Sequence, residues 1–101
     1  MNLEGTWRVK VTSGPRWFRM LNLLRDRKII YNSRGHNVAW RKKWGKFTVT
    51  EVDDEFILKY INQPIVGKLR DINEDELSGE FYYKEKLIGN FSMLRILKGR
   101  K

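Results

Sequence analysis

A glycine, a polar residue and a large apolar residue recur in that order five times: Gly5-Thr6-Trp7, Gly45-Lys46-Phe47, Gly67-Lys68-Leu69, Gly79-Glu80-Phe81 and Gly89-Asn90-Phe91. Steps of two keep one parity apolar, as in Gly5, Trp7, Val9, Val11 and in Gly89, Phe91, Met93, while Thr6, Arg8 and Lys10 fill the other. A period of two is the mark of a strand with one buried face. Glycine on that face removes a side chain where a sheet bends sharply or another backbone approaches. Five inward glycines in one phase predict a sheet curled on itself; a flat sheet matching so loose a pattern is the alternative.

Turn signals at Asp53-Asp54, Asn62-Gln63-Pro64, Asn73-Glu74-Asp75 and Lys84-Glu85-Lys86 divide the second half into strand-like runs. Strands are expected near 5–12, 27–32, 37–43, 46–52, 55–61, 65–72, 76–83 and 87–97, with Ser33-Arg34-Gly35-His36-Asn37 read as a turn. One segment breaks the alternation. After Ser13-Gly14-Pro15, residues Trp17, Met20, Leu21 and Leu24 fall at helical spacing, which predicts a short amphipathic helix over 15–25 that caps the core with those four residues; its basic side, Arg16, Arg19 and Arg25, lying on an acidic membrane surface is the alternative. The expected fold is an all-β, antiparallel up-and-down β-barrel of about eight short strands, with one short helix between strands 1 and 2. It forms a single domain over 1–101.

Charge is distributed unevenly. Residues 1–50 hold twelve Lys/Arg against Glu4 and Asp26, whereas residues 51–101 hold nine basic and ten acidic groups. The formal net charge of +9 therefore comes from the first half, which also contains all four tryptophans. No apolar run approaches the ~20 residues of a transmembrane segment, and the N-terminal residues lack the pattern of a signal peptide. The absence of cysteine removes disulfide and thiolate chemistry and fits a reducing compartment. A cytoplasmic location is expected.

Two short motifs resemble the calycin superfamily, the lipocalins and fatty-acid-binding proteins. Gly5-Thr6-Trp7 is similar to the Gly-X-Trp of the first lipocalin strand, and Arg95 is similar to the basic residue of the last strand that packs over that tryptophan. The resemblance implies barrel closure by a Trp7–Arg95 cation–π pair, worth ~0.5–2 kcal/mol. It also implies an interior ligand site. The chain is shorter than most members, so its strands and any cavity must be small.

Catalysis finds little footing. There is no nucleophile elbow, Walker loop or His-Glu-X-X-His, so a non-enzyme without cofactor or metal is expected. The lone His36 is retained only as a haem-type ligand candidate. Asp71-X-Asn73-X-Asp75 opens like a calcium loop, but Glu76 and Tyr82 stand where glycine and glutamate are needed.

Three functions stay open. A small hydrophobic or amphipathic molecule, including an anionic one, would be held inside the barrel by Trp40, Phe47, Tyr60, Phe81, Tyr83 and Phe91. In that reading Arg95 and Tyr83 would pair with a ligand carboxylate, as an alternative to the Trp7 staple. A nucleic acid would use the basic, aromatic-rich face of 16–46, above all Arg41, Lys42, Lys43 and Lys46 beside Trp40 and Trp44. A solid barrel would act as a protein-interaction module.

Overall fold

The computed structural model describes residues 3–98. The chain runs β1 (Gly5–Ser13), α1 (Arg16–Arg19), a single 3-10 turn (Met20–Asn22), β2 (Arg27–Tyr31), β3 (Arg34–Ala39), β4 (Lys42–Val52), β5 (Glu55–Tyr60), β6 (Ile65–Asn73), β7 (Glu76–Tyr83) and β8 (Lys86–Lys98). Each strand pairs antiparallel with the next, and β8 returns to β1, giving a closed barrel. The expected architecture is therefore the observed one: eight strands with one short helix between the first two.

Four hairpins close through two residues that both have positive φ: Asn32-Ser33, Trp40-Arg41, Asp53-Asp54 and Lys84-Glu85. That conformation matches the twist of the flanking strands, and Asn, Asp and Gly adopt it at least cost. Trp40 and Arg41 are poor choices for it. Their tight turn also shifts β3 from the expected 37–43 to 34–39, and places His36 inside that strand rather than in a turn.

Aromatic rings lie across inward glycines. A Cβ at Gly35 would meet the Phe47 ring, one at Gly45 the Tyr60 ring, one at Gly79 the Phe91 ring and one at Gly89 the Phe18 ring. Missing side chains on one strand thus make room for rings from its neighbours, and the interior is filled around Trp7, Phe47, Leu58, Leu69, Leu77 and Met93. Rings in contact complete the packing, with Phe47 and Tyr60 centroids 5.2 Å apart and Phe18 and Phe81 4.7 Å apart.

Closure is stapled where β8 meets β1. Arg95 is opposite Trp7 in register, and its guanidinium lies 4.4 Å from the indole centroid. Trp7 Nε1 donates to the Leu3 carbonyl at 2.8 Å. Arg95 Nη1 donates to the Glu4 carbonyl at 2.8 Å and Nη2 to the Glu74 carbonyl at 3.1 Å, while Asp75 pairs with Nε at 3.2 Å. The alternative pairing of Arg95 and Tyr83 around a carboxylate is overturned. Arg95 faces β1 near one end of the barrel, whereas Tyr83 is exposed at the far end of β7.

The helix is shorter than expected and its phase differs. Phe18 is the buried residue, packed on Phe81, and Leu21 is partly buried; Trp17, Met20 and Leu24 face outward. Position 18 wins because the cavity above Gly14 and Gly89 accepts one ring there. Among the described residues no helix is long and apolar enough to cross a membrane.

Gly79→Ala is expected to destabilise the barrel by about 1–3 kcal/mol, because the Phe91 ring must be displaced. Gly67→Ala, whose Cβ would meet Leu58 Cβ at an ordinary 3.5 Å, should be close to neutral. Urea titrations of the two variants make the comparison.

Candidate functional site

Successive strands of an up-and-down barrel alternate in direction, so turns sort into two ends. One end carries the segment between β1 and β2 and the β3–β4, β5–β6 and β7–β8 turns. The other carries Asn32-Ser33, Asp53-Asp54 and Glu74-Asp75. The first is called the helix end. Its pieces are tied together: Trp40 N donates to the Leu24 carbonyl at 2.9 Å, and Lys84 N to the Pro64 carbonyl at 2.8 Å.

The segment leading into β2 is held by Asn22. β2 starts opposite Arg8, which leaves the later residues of β1 without a strand partner on that side. Asn22 replaces one. Its Oδ1 accepts from Val11 N at 2.7 Å, and its Nδ2 donates to the Val11 carbonyl at 3.0 Å. Leu23 and Leu24 follow directly and remain outside, with Leu23 72% exposed.

Beyond them, Asp26 and Lys28 point into the barrel, so Arg27 between them points out. Across the ladder Arg27 pairs with Val38, which faces out because Asn37 and Ala39 are buried. The β3–β4 turn then adds Trp40 and Arg41. The result is an open groove of about 680 Å³ lined by Leu23, Leu24, Arg25, Arg27, Val38, Trp40 and Arg41. It has an aliphatic wall, one indole and three guanidinium groups.

Under this groove lies a buried polar network. Lys28 is 4% exposed. Its Nζ donates to Asn37 Oδ1 at 3.0 Å and to the Tyr60 hydroxyl at 2.6 Å. The Tyr60 hydroxyl donates to Asn37 Oδ1 at 2.7 Å, and Asn37 Nδ2 donates to Asp26 Oδ2 at 2.8 Å. Trp44 Nε1 completes the Asp26 carboxylate from 3.1 Å. The rings of Phe47, Tyr60 and Phe91 surround the ammonium at 5.2–5.6 Å from their centroids. Burial lowers the Lys28 pKa to about 8, with Asp26 opposing the shift. Burial raises the Asp26 carboxyl against the pull of Lys28 and its hydrogen bonds. Burial, then Asp26, pushes the Tyr60 hydroxyl well up.

The structure divides the residues expected to line an interior site. Phe47, Tyr60, Phe81 and Phe91 are inside and packed. Tyr83 is exposed as the last residue of β7, beside the β7–β8 turn, where the barrel interior has ended. Trp40 is also outside, 70% exposed at its turn. Of the basic residues, Arg41 enters the groove, Lys42 and Lys43 flank the turn on the exposed start of β4, and Lys46 lies farther along that strand opposite His36. Trp44 does not join Trp40 on one face. It turns inward to Asp26 and stacks on Tyr60 at 6.1 Å. His36 is half-buried, and burial followed by Lys43 and Lys46 lowers its pKa. No cluster of three or more potential metal-ligating His, Asp or Glu side chains occurs among the described residues.

Sequence reasoning missed Lys28, Asp26 and Asn37. A usable signal existed: Lys28 shares the parity of Ile30, which pairs with the inward Gly5. Leu23 and Arg25 escape sequence reasoning because the helical spacing over 15–25 runs past the point where the chain leaves the helix, and Arg27 and Val38 because outward strand residues carry no signal of a shared groove.

Between pH 8 and the ordinary lysine value of 10.5, the unfolded chain holds more protons on this lysine than the native state, so stability rises with pH across that window. Tyr60 works in the opposite direction above pH 10. The urea midpoint of the protein should therefore rise from pH 8 to 10 relative to that of Lys28→Met. At neutral pH the variant should itself be destabilised by about 3 kcal/mol, because Asp26 loses its buried counter-charge.

Compared with known proteins, the chain matches no family model, no curated protein and no solved structure.

Proposed function

We propose that the groove at the helix end binds a small amphipathic anion, the acidic group on Arg25, Arg27 and Arg41 and the apolar part against Leu23, Leu24, Val38 and Trp40. This keeps the ligand class expected from the sequence and moves its site from the barrel interior to the barrel end. The observation that carries it is the groove itself. At about 680 Å³ it falls in the size range of small-molecule sites, and it combines a mainly apolar wall with a few convergent charges.

The Trp40-Arg41 turn supports the same reading. Both residues are left-handed, with φ of 52° and 68°, a conformation costing ~1–2 kcal/mol each for side chains of this kind. Asp53-Asp54 fills an equivalent turn with a favoured residue type. Backbone strain held at an exposed Trp-Arg pair is the pattern of a binding site.

A second reading draws on the exposure of Trp40. An indole beside guanidinium groups also stacks a nucleobase while the cations meet phosphates. The groove wall favours the first reading, because it offers three aliphatic side chains and one ring, and Trp44 is committed to Asp26.

Decyl phosphate below its micelle concentration is the probe, followed by calorimetry. Trp40→Ala and Arg41→Gln should each weaken it about tenfold, which corresponds to ~1.4 kcal/mol. Replacing Trp40-Arg41 by Asn-Gly should raise the melting temperature and also abolish binding. A protein that ignores decyl phosphate but holds a twelve-residue oligothymidylate, with affinity falling steeply in salt, would move the conclusion to nucleic acid.

A further inference from the structure

The groove occupies only part of the helix end, and the rest of that end has the same mixed character. Large apolar side chains are exposed around that end: Trp17, Met20 and Leu23 between β1 and β2, Trp40 between β3 and β4, Ile61 after β5, and Leu87 at the start of β8. Basic residues sit among them: Arg16, Arg19, Arg25, Arg41, Lys84 and Lys86. The acidic residues near them are few. Asp26 is buried under the groove, and Glu85 lies between two lysines.

Small-molecule binding in the groove does not require Trp17, Ile61 or Leu87 to be exposed. Three connections and the start of β8 each expose an apolar side chain at the same end of the barrel, within a molecule measuring 36 × 29 × 27 Å. Apolar groups that enter the headgroup region, ringed by cations that meet anionic lipids, are the composition of a membrane-surface contact. Each basic side chain held near an anionic leaflet strengthens binding roughly fivefold.

Charge also sets the orientation. The opposite end exposes Tyr31, Val52, Ile72, Leu94, Ile96 and Leu97 as well, so exposed apolar groups alone do not choose between the ends, but its turns carry Asp53, Asp54, Glu74 and Asp75. An anionic surface repels that end and attracts the helix end.

We infer that the helix end of the barrel docks on the surface of an anionic lipid bilayer, presenting the Arg25–Trp40 groove to a lipid headgroup and the start of its acyl chain. The groove's part in this rests on the function proposed above. The docking surface does not, because Trp17, Ile61 and Leu87 lie outside the groove.

The test is co-sedimentation of the full chain with vesicles of equal phosphatidylglycerol and phosphatidylcholine, and with vesicles of phosphatidylcholine alone. The protein should bind the first and not the second. Binding should weaken on raising the salt, and tryptophan emission should shift to the blue as Trp17 and Trp40 leave water. Ile61→Ser/Leu87→Ser, checked for an unchanged melting curve, should lower vesicle binding at least about tenfold while leaving decyl phosphate binding intact. Failure to bind the anionic vesicles, equal binding to both kinds, or indifference to the Ile61/Leu87 replacements would overturn the docking surface. If vesicles bind as expected but decyl phosphate does not, the docking surface stands and the groove reading falls alone. Binding of the oligothymidylate by a protein that ignores both vesicles overturns docking in favour of nucleic acid.

Discussion

Closing eight short strands into one ring leaves a narrow interior that must be filled by side chains, and most other features follow from how this chain fills it. A filled interior must be close-packed to be stable. The chain meets that demand by setting rings across glycines: Phe47 over Gly35, Tyr60 over Gly45, Phe91 over Gly79 and Phe18 over Gly89. Phe18 comes from the helix, so the helix is part of the packing and fixed in place. The ends of the barrel are left as the surfaces where a partner can be met.

Lys28 and Asp26 are the charged groups buried among the described residues, and the surroundings of Lys28 couple the core to the groove. Removing an ammonium from water is costly unless its donors and its charge are answered. Asn37 and Tyr60 accept its hydrogen bonds, three rings face it and Asp26 supplies the counter-charge. Asp26 is itself held by Asn37 and Trp44. These bonds fix the inward direction of Asp26, Lys28 and Asn37. By alternation they also fix the outward direction of Arg27 and Val38. The network thus orients two side chains of the groove without touching anything that would bind there.

Much of the architecture was legible in the sequence because period-two patterning survives wherever one face of a strand is buried. The Gly-polar-apolar phase located β1, β4, β6, β7 and β8, and the turn residues Asp53-Asp54 and Lys84-Glu85 located two hairpins. The Trp7–Arg95 staple was legible from its residue types and from the adjacency of first and last strands. The site was not. Trp40 and Arg41 carry no turn signal, since local preference argues against both in a left-handed turn, and a strand drawn through them sends Trp40 inside. Lys28 and Asn37 read as surface residues by type, and only the register of β2 on β3 shows that they meet. In both cases a tertiary requirement overrode the local preference that sequence reading depends on.

That override separates structural from functional explanations of the helix end. A turn selected for stability alone would carry Asn, Asp or Gly, as Asn32-Ser33 does in part and Asp53-Asp54 does in full. A surface selected for solubility alone would not expose Leu23, Trp40 and Leu87 at one end of the barrel. Each choice makes the free protein less stable or less soluble, and each lies at the same end of the barrel. Natural chains hold such unfavourable residues where activity requires them. The packing of the core needs Phe18, Asn22 and Asp26 from this region and does not include Leu23 and Trp40, so these outward residues are free to answer to a partner. Their chemistry, apolar tips among cations, describes a partner that is both oily and negatively charged.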